Sequence, residues 1–265
     1  MRIIGHRGTP TAGCHVENTL PAIGAALEAG ADGVEVDVRC TRDDVLVLSH
    51  DPDLGRVLGS GAGRGPVIAD ATWPALRTLP LPERTSVPRL CDVLDLAAYH
   101  RAHVVTEVKR DPGHPARTAE LLAALLTLRA RAEPGWDRVT TTSFDLASAM
   151  VLTGRGMGSA VILEPEIDPF PAALRARACG LTELHLSVEH VRADPTVVSR
   201  VHELGLTVGA GIVDHVPEAR WLQQLGVDLL CTDTPELLVA GMGRSGGAGT
   251  RTGARELTRP SRSPV

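Results

Sequence analysis

Aromatic residues are scarce in this sequence, which has three Trp, two Phe and one Tyr in 265 residues. Modules that stack nucleobases on aromatic rings are therefore not indicated. The formal net charge of −5 gives no electrostatic reason to expect DNA binding, because such binding relies on excess basic charge. We expect no nucleic-acid partner, and a core built mainly from Ala, Val, Leu and Ile.

Signals for secretion and membrane insertion are missing as well. No run of about 18 or more apolar residues occurs, so no membrane span is predicted. The first residues lack the apolar stretch and cleavage site of a secretory signal. The five cysteines are widely spaced and form no CxxC pair, which is typical of reduced thiols. We therefore expect a cytoplasmic protein; its oligomeric state is left open.

Short β-branched runs alternate along the chain with segments rich in Ala and Leu. The predicted strands cover 2–6, 33–38, 45–49, 103–108, 138–142, 158–163, 183–188, 206–211 and 228–232. The predicted helices cover 19–29, 90–99, 115–132, 145–153, 170–178, 195–204, 216–224 and 235–240. With 45–49 set aside as a partner of 33–38, eight strand–helix units remain, which fits an α/β (β/α)8 TIM barrel. A doubly wound open sheet is the alternative, although no G-x-G-x-x-G follows the first strand.

Two segments interrupt this alternation. Residues 51–89 are rich in Gly and Pro and are interpreted as a small insertion after the second strand, or a lid over one end of the barrel. Residues 241–265 are rich in Gly, Ser and Arg without apolar periodicity, which predicts a disordered tail. The prediction is one catalytic domain over 1–240, followed by this tail.

Acidic residues alternate with valines in the second predicted strand. Glu35 and Asp37 share one face of that strand, and the valines share the other. Two carboxylates on the inner face of a barrel are costly to bury as free anions. An all-oxygen cation site, for Mg²⁺ or Ca²⁺ rather than zinc, resolves this cost. Pairing of both carboxylates with arginines on an edge strand is the alternative.

The strand 103–108 ends in a similar pattern, with Glu107 and Lys109 on one face. Glu107 is a candidate third oxygen ligand. Lys109 is the single lysine among 27 basic residues, which favours a specific role for a compact ammonium, such as neutralising an anionic substrate group. A local Glu–Lys pair without a ligand is the alternative.

Histidines close two of the predicted strands. His6, followed by Arg7, ends the first strand, and His50 ends 45–49. Two imidazoles beside a metal can act as general acid and general base, and Arg7 supplies a fixed cation for phosphate. These parts fit metal-assisted phosphoester chemistry. A phosphosugar isomerase or aldolase, or a non-catalytic barrel that binds a phosphorylated metabolite, would use much the same parts.

Other candidates are weaker. Asn18 or Thr19 is interpreted as the cap of the first helix, and Glu17 as a residue that holds an active-site side chain or lies beside the metal. His185 and Ser187 share a face of their strand, and both are candidates to line the pocket.

Taken together, the motifs resemble the glycerophosphodiester phosphodiesterase family. The matching stretches, in chain order, are His6-Arg7-Gly8, Glu17-Asn18-Thr19, 30–38, Thr41-Arg42-Asp43, His50-Asp51, 87–90, Glu107-Val108-Lys109, Ser143-Phe144-Asp145, His202, Gly205, Gly226-Val227-Asp228 and 232–235.

The resemblance implies a TIM barrel that hydrolyses glycerophosphodiesters, small-molecule substrates, to an alcohol and sn-glycerol 3-phosphate. It implies that Glu35, Asp37 and Glu107 hold a divalent cation. It also implies that His6 and His50 form the acid–base pair and that Arg7 and Lys109 bind phosphate. In the family scheme a glycerol hydroxyl attacks first, and water then opens the cyclic phosphate.

One departure from the family pattern concerns the wall of the pocket. Family members commonly carry Trp-Thr-Val-Asn at the end of the seventh strand, whereas this chain has 211–214 as Gly-Ile-Val-Asp. Gly211 therefore removes an aromatic wall, and Phe144 is the candidate to supply what remains of it. A wider pocket suits other diesters, so the alternative is a phospholipase-D-like enzyme that acts on lysophospholipids and releases cyclic phosphate.

Overall fold

The computed structural model of the chain describes residues 1–9, 15–61, 63–110, 116–132, 138–153 and 158–243. Cys14, His114 and nearly all of the predicted tail lie outside the described residues. Within these ranges, no helix has the length and apolar character needed to cross a membrane.

Eight parallel strands close into a barrel. The strands of the sheet are β1 (Arg2–His6), β2 (Gly33–Cys40), β3 (Leu46–Leu48), β4 (His103–Val108), β5 (Val139–Ser143), β6 (Gly158–Ile162), β7 (Glu183–Leu186), β8 (Thr207–Ala210) and β9 (Leu229–Thr232). β1 pairs with both β2 and β9, which closes the sheet. β3 pairs antiparallel with β2 outside the ring. The predicted (β/α)8 TIM barrel is confirmed, and the open sheet is excluded.

Among the described residues, all helices except the short one at Trp73–Leu76 follow barrel strands and cover the outside. The helices are α1 (Leu20–Glu28), α2 (Trp73–Leu76), α3 (Leu90–His100), α4 (Arg117–Ala132), α5 (Leu146–Val151), α6 (Pro169–Ala178), α7 (Val188–Ala193), α8 (Val197–Glu203), α9 (Val216–Gln224) and α10 (Pro235–Gly241). The valines of β2 are fully buried in a cluster with residues of α1, α3 and α4. The opposite parity of β2 faces the barrel interior, as the strand alternation predicts.

An inner layer of apolar side chains closes the barrel interior. Ile4, Val105 and Leu229 form a separate buried cluster from three different strands. All three also line the cavity that opens at the carboxyl ends of the strands. The cavity therefore has an apolar floor.

The segment 51–89 is a small folded layer. It contains α2 and two short 3-10 turns, Ile68–Asp70 and Pro82–Arg84. Leu54, Ile68 and Leu76 pack in its own apolar cluster with Val47 of β3. The Asp53 carboxylate accepts three backbone N–H groups of the glycine-rich loop, which explains how so many glycines are ordered.

The strand predicted over 183–188 is shorter in the structure, because β7 ends at Leu186. Ser187 caps α7, where its hydroxyl accepts the N–H of His190 and the His190 imidazole accepts the N–H of Ser187. Val188 and Val191 are buried at the i, i+3 spacing of a helix. Ser187 therefore does not line the cavity, and the prediction for it was wrong.

Candidate active site

A cavity of about 290 Å³ opens at the carboxyl ends of the barrel strands. Its charged side is formed by β1, β2, β3 and β4, and its far side by β6 to β9. The residues that line it are Ile4, His6, Arg7, Glu35, His50, Val105, Glu107, Lys109, Thr142, Phe144, Ile162, His185, Leu186, Ala210, Gly211, Ile212, Leu229 and Cys231. This end of a TIM barrel is where active sites lie.

Three buried carboxylates meet on the charged side. Oxygens of Glu35, Asp37 and Glu107 all lie within 4.8 Å of one another. The register explains this, because Asp37 on β2 is directly opposite Glu107 on β4. β2 pairs with strands on both sides, so the alternative of an edge strand is excluded.

The electrostatics of these carboxylates fit a divalent cation. Burial, and then the charge of Asp37, raises the pKa of Glu35 to about 8. Burial raises the pKa of Glu107 too, against the opposing charge of Lys109. One oxygen of Glu35 is buried and has no hydrogen-bond partner among the described residues. A hard cation with oxygen ligands would satisfy this oxygen and offset the repulsion.

Two cations flank the carboxylates. The Lys109 ammonium lies 2.8 Å from Asp37 Oδ1 and also contacts Glu107. Arg7 Nε lies 3.1 Å from Asp37 Oδ2. Burial alone would raise the pKa of Asp37, but Lys109 and Arg7 hold it below its ordinary value. Both cations also line the cavity, where an anionic group would meet them.

The backbone after β1 turns sharply to place Arg7. Arg7 and Gly8 both have positive φ, 52° and 92°. A Cβ on Gly8 would lie 2.5 Å from a backbone carbon of Ala22, so only glycine fits this close approach to α1. The Arg7 N–H donates to Glu35 Oε2 at 3.1 Å, which ties the turn to the carboxylates.

His6 is backed by a carboxylate from the other end of the chain. Its Nδ1 lies 2.7 Å from Asp233 Oδ1, and its Nε2 lies 3.9 Å from Glu35 Oε2. Burial lowers the pKa of His6, but the bond to Asp233 and the charge of Glu35 outweigh this and raise it. Asp214 accepts the backbone N–H of Asp233 and so fixes that loop.

His50 has a similar arrangement. Its Nδ1 lies 2.8 Å from Asp51 Oδ1, and Asp51 Oδ2 accepts from Arg56 Nε at 2.6 Å. Arg56 also donates to Glu17, and Glu17 accepts from Arg7. Glu17 therefore holds the side chain of Arg7, which is compatible with the first of the two roles predicted for it.

Asn18 is part of the site as well as of the loop before α1. Its Nδ2 donates to Asp37 Oδ2 at 2.7 Å, and its Oδ1 accepts the Asp37 N–H at 3.1 Å. Thr19 is the N-cap of α1. Of the two candidate caps, Thr19 is therefore confirmed and Asn18 is not, because Asn18 instead orients a carboxylate 19 residues away.

The far side of the cavity is made of apolar and small residues. Phe144 and Ile212 are 46% and 41% exposed. Gly211 lies against Cys231, since a Cβ there would be 2.8 Å from the Cβ of Cys231. His185 lines the cavity, as predicted. Of all the predicted site residues, only Ser187 is neither in the lining of the cavity nor paired through its side chain with a described residue of the lining.

Four contributors were given no role in the site from the sequence, although all but Arg56 lie in stretches that match the family: Asn18, Asp51, Arg56 and Asp233. Asp51 was adjacent to a candidate histidine, and that adjacency was the available signal. Asp233 lies 227 residues from His6, so no local spacing indicates the pair.

Comparison with known proteins places this chain in a family. Residues 6–237 match the model of the glycerophosphoryl diester phosphodiesterase family. The Mycobacterium tuberculosis protein named probable glycerophosphodiester phosphodiesterase 1 is 30% identical, with 88% of this chain and 89% of that protein covered. The glycerophosphodiester phosphodiesterase of Caldanaerobacter subterraneus subsp. tengcongensis is 26% identical, with 89% and 96% covered.

Solved structures agree on the fold. A phosphodiesterase of Oleispira antarctica, in complex with the product sn-glycerol-3-phosphate, has a TM-score of 0.77 at 20% identity and covers 92% of this chain and 97% of its own. A glycerophosphodiester phosphodiesterase of Parabacteroides distasonis has a TM-score of 0.75 at 24% identity, with 90% and 95% covered. The chain belongs to the glycerophosphoryl diester phosphodiesterase family of phosphoric diester hydrolases.

Proposed function

We propose that this enzyme hydrolyses glycerophosphodiesters to an alcohol and sn-glycerol 3-phosphate, with a divalent cation at Glu35, Asp37 and Glu107. The observation that carries the proposal is the cluster of three buried carboxylates beside two histidines and two cations in one cavity. The product named for the Oleispira antarctica relative supports the same chemistry. Mg²⁺ and Ca²⁺ both suit an all-carboxylate site. The cytoplasmic location stays a prediction.

A divalent cation bound there supplies Lewis-acid stabilisation of negative charge on the phosphoryl oxygens. Arg7 and Lys109 contribute fixed positive charge to the same cavity, which orients the phosphate and favours the more highly charged transition state. Asn18 and Arg56 keep Asp37 and Asp51 in place.

The two histidines move the protons. Asp233 accepts a hydrogen bond from Nδ1 of His6, and Asp51 accepts one from Nδ1 of His50. The Nε2 of each ring is then left for the substrate. One imidazole takes a proton at Nε2 from the attacking oxygen, which is a glycerol hydroxyl or water. The other gives a proton at Nε2 to the departing alkoxide as the P–O bond breaks. Two such displacements, with the second by water, leave the alcohol and the phosphomonoester.

The test is ³¹P NMR of metal-stripped protein with a panel of glycerophosphodiesters and lysophospholipids. Mg²⁺ and then Ca²⁺ are added, with a chelator as the control. Metal-dependent appearance of glycerol 3-phosphate is the expected result. Turnover that persists in excess chelator would contradict the cation, and no turnover of any glycerophosphodiester would contradict the substrate class.

A lysophospholipid is the second candidate substrate. The half-exposed Phe144 and Ile212 at the mouth favour an apolar group next to the phosphate site. Cyclic phosphate formed from lysophospholipid alone, in the same NMR panel, is the outcome that this alternative requires.

A further inference from the structure

The far side of the cavity contains one imidazole, that of His185. β7, which carries it, lies four strands from β2 in the ring of eight, so His185 faces the carboxylates across the barrel. Its side chain is 12% exposed and lines the cavity beside Ile162 and Leu186. A polar group in an otherwise apolar wall is typical of a residue that orients a ligand.

A buried carboxylate fixes the His185 ring. Its Nε2 lies 3.2 Å from Oε2 of Glu183, which is 7% exposed. Burial raises the pKa of Glu183. The hydrogen bond from His185 and the bond from Thr140 outweigh this effect and hold the pKa below its ordinary value. Glu183 is therefore an acceptor, and His185 Nε2 carries the proton of this hydrogen bond.

The chain of hydrogen bonds continues away from the cavity. Thr140 Oγ1 donates to Glu183 Oε1 at 2.9 Å, and His103 Nε2 lies 3.0 Å from the same hydroxyl. Because the Thr140 proton points to Glu183, His103 Nε2 donates to Thr140. The far end of Glu183 is thus also fixed, and the carboxylate has no freedom to turn away from His185.

Glycine on the neighbouring strand makes room for the ring. A Cβ on Gly209 would lie 2.7 Å from His185 Cδ2 and 2.9 Å from Nε2. The Cδ2–Nε2 edge of the ring therefore faces β8 and Glu183. Within the described residues, Nδ1 has no hydrogen-bond partner, so it remains available to a molecule in the cavity.

We propose that His185 Nδ1 accepts a hydrogen bond from a hydroxyl of the glycerol part of the diester, and that Glu183 is the positioning residue that fixes the ring for it. The proposal rests on the function proposed above. Arg7, Lys109 and His185 line the same cavity, so a diester whose phosphate is bound by the two cations would extend its three-carbon polyol toward the far side. The substrate class is accordingly a phosphodiester whose retained alcohol carries free hydroxyls.

The test compares two ligands that differ by the polyol, sn-glycerol 3-phosphate and inorganic phosphate. Both are titrated calorimetrically into Mg²⁺-loaded protein. His185→Gln keeps a donor near the Nε2 position for Glu183 but has no acceptor at the Nδ1 position. This variant is expected to bind glycerol 3-phosphate about tenfold more weakly, as for one lost hydrogen bond, and phosphate within about twofold of wild type.

His185→Asn is the second variant, because its amide oxygen replaces Nδ1. It is expected to recover most of the affinity for glycerol 3-phosphate that His185→Gln loses. His202→Gln is the matched control, since His202 also pairs with a carboxylate, Asp228, at 2.8 Å but does not line the cavity. It is expected to change neither affinity.

Glu183→Gln tests the positioning role by ¹⁵N NMR of the imidazole. In wild type the His185 Nδ1 signal is expected to be that of an unprotonated nitrogen and to shift when glycerol 3-phosphate is added but not phosphate. In Glu183→Gln both tautomers are expected. A wild-type Nδ1 signal that ignores glycerol 3-phosphate would overturn the contact.

Equal losses for both ligands in His185→Gln, or no loss for either, would also overturn the proposal and leave the phosphodiesterase function intact. Failure of wild type to turn over any glycerophosphodiester in the NMR panel is a separate result that overturns the proposed function. Selective loss of glycerol 3-phosphate binding would support the His185 contact in either case.

Discussion

The two sides of the cavity are built on opposite principles. On the charged side, each functional group has a partner of opposite charge or a hydrogen bond, as Asp37 has with Lys109, Arg7 and Asn18. On the far side, small and apolar residues such as Gly211, Cys231 and Ile162 leave space. A charged group that is moved loses several interactions at once, whereas a change on the far side alters mainly shape. We therefore expect substitutions on the charged side to act on the chemistry, and substitutions on the far side to act on the shape of the cavity.

The largest effect is expected from removing one carboxylate. Glu35→Gln keeps the shape of the side chain but removes a charge that lies in the cluster with Asp37 and Glu107. We expect loss of Mg²⁺ binding by calorimetry and a fall in turnover of at least roughly 10³-fold, because the charge stabilisation supplied by the cation is lost. Glu183→Gln, the same change in a buried glutamate on the far side, should keep the metal affinity. A Glu35→Gln protein with wild-type Mg²⁺ affinity would refute the metal site.

The next effect separates metal binding from proton transfer. His50→Asn removes an imidazole that contacts Asp51 and not the carboxylate cluster. Turnover should fall by about 10² to 10⁴, the range for a lost general acid or base, with Mg²⁺ affinity unchanged. His202→Asn is the control for loss of a histidine elsewhere. Loss of Mg²⁺ binding in His50→Asn would show that His50 supports the metal instead.

A smaller effect is expected from the partner of His6. Asp233→Asn keeps a hydrogen bond to Nδ1 but removes the charge, so the ring is no longer fixed in one tautomer. Turnover should fall by roughly 10- to 100-fold, as for other residues that orient a site, and the pH–rate profile should move with it. Asp228→Asn removes the charge next to His202 and should change neither the turnover nor the pH–rate profile. An unchanged profile in Asp233→Asn would falsify the orienting role.

On the far side, the expected effect is on stability. Gly211→Ala places a Cβ 2.8 Å from that of Cys231, and such overpacking costs about 1–3 kcal/mol. Cys231→Gly in the same protein should restore part of the free energy of unfolding measured in urea, since it removes the clashing atom. Additive losses in the double variant would show that the two positions do not contact each other. Mg²⁺ affinity should be unchanged in Gly211→Ala, in Cys231→Gly and in the double variant.

The smallest effect concerns the stability of the protein in acid. It comes from His103, which lies beneath the far side of the cavity and bonds to Thr140. Burial, and then the charge of Arg2, lowers the pKa of His103 to about 4 from 6.5. The unfolded chain thus binds a proton that the folded chain refuses, and stability falls as the pH drops from 6.5 toward 4. Between pH 7 and 5.5 this amounts to about 1 kcal/mol. His103→Gln should flatten that part of the curve of unfolding free energy against pH; a parallel curve would contradict the pKa.

The charged side was the easier side to predict. Glu35 and Asp37 alternate with valines, so strand parity alone put both on one face, and Glu107 followed from the same pattern. The groups behind the histidines were harder, because Asp233, which pairs with His6, and Arg56, which pairs with Asp51, approach only through tertiary structure. Ser187 was misplaced because Leu184, Leu186 and Val188 alternate as in a strand, whereas Val188 belongs to the first turn of α7. Local periodicity specifies faces, and it does not specify which distant segment meets them.

The contact between His6 and Asp233 has a consequence for the order of folding. The three carboxylates all lie within residues 35–107, so their strands can pair early at a modest cost in chain entropy. The first and last strands of the barrel meet only after a loop of more than two hundred residues is closed, which is an intrinsically slow kind of contact. We therefore expect refolding protein to regain cation binding before it regains turnover. Enzymatic activity then reports the moment at which the ring of strands closes.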